Sequence, residues 1–431
     1  MKKRVFIGME EIAGNASDLC RGFREIGYDC DFVSPFAHRF EYEETTDGPL
    51  IRFVKKAHRN WSAAYAANDQ ARRRLWKGLT KTALGLLFSI CLFKYDAFIF
   101  YFNRTFSKKW RDLPILKFFG KKIIFVYVGG DARPPYLNGA RNPYLLEKDI
   151  QALIKITAEQ KAKLSWAEKY ADYIVNWPPQ AYFNERRFIH GALMGLPRRV
   201  SAPGGPTGPE HCRPIRGVGT KILHAPSKAG KGTELIRALA ARLKEKGRDL
   251  EYIEISGQPN EVVLKRLAEC DFVIDQAYAD TPLAGLATEA AFFGKPAVVG
   301  GYFVDQVAKW LDSEDIPPSL YVRPEDMEQA VDKMIVDRQF RLDLGLKARR
   351  YVESHCRPAI VAAKYARLIN GDAPESWLRE PARLTYLYGA NMPEETVREI
   401  VAALIEAGGV KALQLADKPE LEKAFLELAR Q

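Results

Sequence analysis

Cysteine is scarce in this chain: six among 431 residues, at positions 20, 30, 91, 212, 270 and 356. None forms a Cys-x-x-Cys pair and no Cys/His group has zinc-ligand spacing, which excludes a zinc module and a disulfide scaffold. Several sit in apolar segments and read as reduced core thiols, which fits a reducing compartment. Long apolar runs are missing too. The longest, Thr82 to Phe93, is about twelve residues, short of the ~18 that a spanning helix needs. Met1-Lys2-Lys3-Arg4 precedes only Val5 to Gly8, too brief for the core of a signal peptide. No repeat at solenoid spacing and no nucleic-acid-binding module is present, so nucleic acid is not an expected partner. The expectation is a cytoplasmic protein, soluble or lying peripherally on the inner face of a membrane.

What is there points to two globular domains. Apolar residues make up 47% of the chain, and its length suits two cores of ~200 residues. The net charge of +11 calls for an anionic partner: a nucleotide, a lipid surface or nucleic acid. Most of that charge lies in residues 55–94, where nine Lys/Arg face one acid, Asp69. There Arg72-Arg73-Arg74-Leu75-Trp76-Lys77 leads into Leu84, Leu86, Leu87, Ile90 and Leu92. Such a segment suits an anionic bilayer surface; the alternative is a solvated helix packing its apolar side on the first sheet. Residues 372–431 hold 11 acidic and 7 basic side chains and are net negative.

Val5-Phe6-Ile7-Gly8 reads as a strand, Glu10 to Ser17 as a polar turn, and Leu19, Phe23 and Ile26 follow at helical spacing. With Asp31-Phe32-Val33 this makes the opening βαβ of a Rossmann-like domain. Tyr95–Tyr101, Lys122–Val128 and Tyr173–Val175 are further strands, and residues 147–171 a helix. Four prolines and five glycines between Ser201 and Gly219 mark an interdomain linker. A second series follows, with strands near 221–225, 252–256, 271–275 and 296–299, and helices near 233–246, 260–269, 286–294 and 325–337. This alternation predicts an α/β protein with parallel sheets covered on both faces. The expected domains are 1–200, a linker at 201–219, a second domain at 220–365, and a helical tail at 366–431 that crosses back to the first domain.

The chemistry-bearing residues cluster in the second series. Lys231 follows a strand end beside Gly230 and Gly232, and Ser227 lies on the same turn. A helix starts after Gly285, where the N–H groups around Leu286 can face an anion; Glu289 lies one turn in. His224 ends the strand, either lining a site or satisfied in the core. In the first domain Gly14 marks the loop after the first strand. The Gly129-Gly130-Asp131-Ala132-Arg133 loop offers Asp131 and Arg133, as a site or as a mutual ion pair. Asp29-Cys30-Asp31 matches a metal-binding DxD tripeptide by accident of sequence, and no essential metal is expected.

The span from Lys221 to Gly301 resembles the donor half of family 4-type glycosyltransferases of the GT-B fold. That resemblance implies two Rossmann-like domains facing a cleft, and a retaining hexosyltransferase. Its donor would be a nucleotide-diphosphate sugar, UDP- or GDP-linked. The acceptor would be a glycan, a lipid-linked sugar or a small molecule, as in polysaccharide or glycolipid synthesis. It assigns Lys231 to the donor phosphates as a catalytic cation, Glu289 to the ribose, and Asp131 and Arg133 to acceptor and phosphate. Two positions depart from the family's pattern. Thr281 stands where a Glu contacts the transferred sugar, so Asp280 is the substitute catalytic carboxylate, and Val128 stands where a His precedes the glycines. A GT-B epimerase or hydrolase and a non-catalytic binding protein stay open as alternatives.

Overall fold

The computed structural model describes residues 2–34, 48–140, 149–199, 219–227 and 229–430. Apart from Gly219, the expected linker lies outside them, as does Cys212. The first sheet takes β1 (Val5–Gly8), β2 (Cys30–Val33), β3 (Ala97–Tyr101), β4 (Lys122–Val126), β5 (Tyr173–Asn176) and β6 (Phe188–His190). Its helices are α1 (Asn15–Glu25), α2 (Pro49–Ala66), α3 (Gln70–Lys94), α4 (Asp112–Phe118), α5 (Ile150–Tyr170) and α6 (Gly191–Met194). The second sheet takes β7 (Thr220–His224), β8 (Leu250–Glu254), β9 (Phe272–Ile274), β10 (Ala297–Gly300) and β11 (Leu320–Val322). With it go α7 (Thr233–Glu245), α8 (Asn260–Glu269), α9 (Gly285–Phe292), α10 (Met327–Val336) and α11 (Arg338–His355). The chain then returns through α12 (Pro358–Asn370), β12 (Leu378–Arg379), α13 (Glu394–Gly408) and α14 (Pro419–Leu428).

The sheets run in the orders β12-β6-β5-β4-β3-β1-β2 and β11-β10-β9-β7-β8. Every pairing is parallel except β12 on β6. Every residue of β1, β2 and β3 is buried, as a parallel sheet covered on both faces requires. Alternate side chains divide the layers. Val5 and Ile7 pack with Leu19 and Phe23 of α1 and with Val361 and Tyr365 of α12. Phe6, Phe98 and Phe100 face the opposite layer, with Leu113, Leu153 and Leu164.

The return to the first domain begins earlier than the pattern suggested. α12, mostly inside the span expected of the second domain, already packs on α1. β12 then adds an antiparallel edge strand, and Val397, Ile400 and Leu404 of α13 join the core beside α5. The reason is that α12 carries an apolar face of its own, Val361, Tyr365 and Leu368, which the first sheet buries.

α3 also exceeds expectation. It runs unbroken from Gln70 to Lys94, and an 18-residue window of mean hydropathy 1.3 makes it, by length and composition, a candidate membrane span. Lys77 and Lys81 cut the run short in the sequence, but both fit within an otherwise apolar stretch of this one helix. Its inward side chains Leu87, Cys91 and Leu92 belong to the first-domain core. Cys20, Cys30, Cys91, Cys270 and Cys356 are free and buried, and burial pushes the Cys91 thiol up to about 12.

Gly22 tests the α1–α12 contact. A Cβ there would stand 2.0 Å from the Pro358 carbonyl oxygen. An exposed helical Gly→Ala change stabilises by up to about 1 kcal/mol; overpacking a contact costs about 1–3 kcal/mol. Gly22→Ala is therefore expected to destabilise the protein by at least about 1 kcal/mol in denaturant unfolding, and a gain in stability would show that α12 stands off α1.

Candidate active site

In the second sheet the strand order reverses at β7: β8 lies on one side and β9 on the other. Loops leaving neighbouring strands at such a reversal diverge and leave a crevice at the carboxyl edge. The two loops here carry Lys231 and Asp275. Lys231 Nζ is 3.7 Å from Asp275 Oδ1, and the Ala277 N–H donates to the Lys231 carbonyl at 3.0 Å. Asp275 is buried, and its Oδ2 has no hydrogen-bond partner among the described residues. The carboxylate thus orients the ammonium, while the Lys231 side chain stays a fifth exposed. Ser227 is exposed on the same turn.

His224 is a core residue. Its Nδ1 lies 2.9 Å from the Ile274 carbonyl, which can only accept, so Nδ1 carries the proton. Nε2 then accepts from the Thr233 hydroxyl at 3.0 Å, which ties the strand end to the start of α7. Burial lowers the imidazole pKa and keeps the ring neutral.

α9 begins beside this crevice. The first-turn N–H groups at Gly285 and Leu286 have no intrahelical acceptor, and the Leu286 side chain packs against the second-domain core. Glu289, one turn in, is buried and accepts from Asn260 Nδ2 at 3.1 and 3.3 Å. Burial raises its pKa, the Arg198 charge opposes that, and the Asp275 charge adds to it.

Arg198 carried no sequence signal, because it ends a short Leu196-Pro197 segment just before the Pro/Gly-rich stretch. It is buried with Nε 3.7 Å from Glu289 Oε1. Its Nη1 bonds Asn15 Oδ1 of α1, and its Nη2 would lie 3.4 Å from a Cβ at Gly285. A cation from the first domain's end thus sits at the start of α9. Its Nε has no hydrogen-bond partner among the described residues.

The first-domain residues take different roles from those expected. Gly14 adopts φ 81° as the cap of α1. The N–H groups there are already used: Ala16 and Ser17 donate to the two Glu11 carboxylate oxygens at 3.2 and 3.0 Å. The Glu11 carboxylate therefore fills the turn that Gly14 marks. Asp131 accepts from the Val128 N–H at 3.1 Å; burial pushes its carboxyl up to about 6. It braces its own loop. No Asp131–Arg133 ion pair forms. Arg133 crosses to the second domain and pairs with Asp280, both buried, and Gln180 Nε2 reaches Asp280 Oδ2 at 3.4 Å. Asp280, the expected substitute carboxylate, is thereby neutralised by the residue expected to face phosphate. Asp31 of the DxD tripeptide accepts from Lys94 Nζ at 2.6 Å and from the Tyr95 hydroxyl. Among the described residues no group of three or more His, Cys, Asp and Glu could hold a metal.

The returning tail also reaches this region, which the sequence reading did not foresee. Ala390 N–H donates to Leu137 O in the first domain at 3.0 Å, and Asn391 N–H to Tyr278 O in the second at 3.0 Å. Tyr388 stacks on Tyr302, centroids 4.5 Å apart, and the Tyr182 hydroxyl donates to the Tyr388 carbonyl at 3.0 Å. A Cβ at Gly230 would meet Asn391 Cβ at 2.9 Å, so the segment leans on the Lys231 loop. The alternating aromatics of Leu384-Thr385-Tyr386-Leu387-Tyr388 were its only visible signal.

No protein-family model matches the sequence, and no curated protein matches it. Among solved structures it is similar to TarM of S. aureus in complex with Fondaparinux, alpha-GlcNAc-glycerol and UDP. The identity is 9% and the TM-score 0.50, over 86% of this chain and 100% of that one. It is also similar to HepE of Anabaena in complex with UDP and glucose, at 11% identity and TM-score 0.47, over 86% and 100% of the two chains. Sucrose-phosphate synthase of Thermosynechococcus elongatus gives 13% and 0.46, over 86% and 99%. These similar structures are GT-B glycosyltransferases. With its two parallel-sheet α/β domains, this chain has the GT-B fold.

The Arg133–Asp280 pair joins the domains with both side chains buried. Removing one partner of such a pair costs about 3–5 kcal/mol, because the other charge stays buried, whereas replacing both by apolar residues is often neutral. Asp280→Ala is expected to destabilise within that range, and Arg133→Met with Asp280→Leu to recover most of the loss. Guanidinium unfolding measures both; a single-variant loss under about 1 kcal/mol, the scale of an exposed pair, would show that water reaches the pair.

Proposed function

We propose that this protein is a retaining glycosyltransferase that moves a sugar from a nucleotide-diphosphate sugar to an acceptor held by the first domain. The observation that carries the reading is the strand-order reversal at β7, which sets Lys231 and Asp275 side by side at the edge where α9 begins. A departing diphosphate needs fixed positive charge and free N–H groups where its own charge develops. Lys231, Arg198 and the first turn of α9 supply both. Asp275 holds the Lys231 ammonium, so little reorganisation is needed as the bond breaks. Glu289, kept beside Asn260 and Arg198, is the acceptor for ribose hydroxyls. UDP or GDP is the expected leaving group. TarM, similar in fold, was solved with UDP, which favours UDP here.

Asp280 and Asp131 are positioning residues in this reading. Asp280 locks the domains through Arg133, and Asp131 shapes the loop that delivers Arg133. Attack on the same face as departure, the retaining course, comes from the family resemblance and fits a site that supplies cations to the leaving group with neither carboxylate free to act as a base. Polysaccharide or glycolipid synthesis is the proposed setting.

Lys231→Ala tests the reading. Release of UDP or GDP from the matching sugar nucleotide, with and without acceptor, is the assay. The variant is expected to lose at least ~100-fold in turnover, the scale seen when one preorganised charge-stabilising donor is removed, with a smaller loss in donor affinity. Lys231→Arg is expected to recover only part, since a planar fork does not replace a compact ammonium. Near-normal turnover in a well-folded Ala variant would remove Lys231 from the mechanism. Product formed without acceptor would make the protein a hydrolase or epimerase.

A further inference from the structure

The loop that carries Lys231 is bounded on two sides. On one side stands the strand-end loop after β9. The Ala277 N–H donates to the Lys231 carbonyl at 3.0 Å, and a Cβ at Gly232 would overlap Ala277 Cβ. On the other side stands Asn391 of the returning tail, and a Cβ at Gly230 would lie only 2.9 Å from Asn391 Cβ. Asn391 is tied to the same strand-end loop, since its N–H donates to the Tyr278 carbonyl at 3.0 Å. Lys231 therefore sits between two glycines with no room for a side chain. Gly232 takes φ 77°, which glycine adopts freely. Gly230 has no such φ, so at that position the contact with the tail is the constraint.

The tail is held where it makes this contact. Before Asn391, Tyr388 stacks on Tyr302, and the Tyr386 ring meets Phe303 edge-on at 5.5 Å. After it, Met392 is buried and α13 begins at Glu394. On the far side the first domain presses in. Asn138 and Ala390 form a parallel bridge, and the Gly139 N–H donates to the Ala390 carbonyl at 2.9 Å. A Cβ at Gly139 would overlap the Asn391 carbonyl oxygen, and a Cβ at Gly130 would meet Asn138 Nδ2 at 2.5 Å. Close contacts thus run without a gap from the Gly130–Arg133 loop of the first domain, through Asn138-Gly139 and Ala390-Asn391, to the Lys231 loop of the second.

Close-packed neighbours pass a displacement on instead of absorbing it. A reacting centre is sensitive to such shifts, since a misplacement of about 1 Å by a remote change can cost about 100-fold in rate. We infer that Asn391 is a positioning residue. It is the stop against which the Lys231 loop is set, and through Ala390 and Gly139 it registers that loop on the Gly130–Arg133 loop across the cleft. The inference rests on reading Lys231 as the cation for the departing diphosphate.

The test is compensation between the two contact partners. The readouts are release of UDP or GDP from the sugar nucleotide and calorimetric binding of UDP and GDP. Gly230→Ala sets a methyl group against Asn391 Cβ and is expected to cost at least about tenfold in turnover, with a smaller loss of affinity. Asn391 has φ 61°, so Asn391→Gly removes the stop and keeps the backbone conformation; it is expected to cost at least about threefold. In Gly230→Ala/Asn391→Gly the new methyl faces the carbonyl oxygen of position 391 at 3.6 Å, an ordinary contact. Turnover is then expected to return to within about threefold of the unaltered protein. A merely structural contact would alter denaturant unfolding and leave the turnover of folded protein unchanged. Normal turnover in both single variants, or losses that add in the double variant, would overturn the inference. Should Gly230→Ala not fold, recovery of the Asn391→Gly loss in the double variant decides it. Lys231→Ala separates this inference from the wider reading. With Lys231 gone, Gly230→Ala is expected to cost no more than about twofold further. An inactive Lys231→Ala beside a fully active Gly230→Ala and Asn391→Gly would reject the role of Asn391 alone. Normal turnover in Lys231→Ala would reject the cation, and the inference with it.

Discussion

Two parallel strands that continue to opposite sides of a sheet cannot have their following loops packed together, and in the gap they leave at the carboxyl edge Lys231 faces Asp275. At β7 that constraint separates the Lys231 loop from the strand-end loop after β9 just enough to hold Lys231 against Asp275. The rest of the second domain serves that edge. His224 pins the strand end to α7 through Thr233. α9 starts where the crevice opens.

Buried polar groups at the domain interface are the second constraint. Arg133, Gln180 and Asp280 meet there, and Asn15, Arg198 and Glu289 form a parallel chain a short way along. Buried charges are costly unless paired, so these contacts hold the domains in one arrangement more than they stabilise either domain. The tail segment around Tyr388 and Asn391 works in the same direction by bonding to both domains. Arg133 Nε, Gln180 Oε1, Arg198 Nε and Asp275 Oδ2 remain without hydrogen-bond partners among the described residues.

The second domain was legible from its pattern. Strands expected near 221–225 and 252–256 are β7 and β8, at 220–224 and 250–254, and the helix at 260–269 is α8. Apolar runs between turn residues carry that information locally. β6, β11 and β12 escaped notice because they are two or three residues long and are defined by their partners. The site was legible only in its local half. Lys231, Gly285 and Glu289 announce themselves by strand end and helix start. That Asp280 is neutralised by Arg133, 147 residues away, or that Arg198 reaches α9, depends on how the domains meet, which no spacing records. Gly14 misled for a related reason: a glycine beside a helix start looks like an anion site until Glu11 is seen to fill it.

In the proposed function, Lys231, Arg198 and the first turn of α9 form one site for a diphosphate. Calorimetry with UDP and UMP, and with GDP and GMP, tests it most directly. For the matching base the account predicts that the second phosphate tightens binding at least about tenfold, the equivalent of one hydrogen bond to a charged group. Arg198→Gln should shrink that difference with little effect on the monophosphate. Equal affinity for the mono- and diphosphate, with either base, would contradict it.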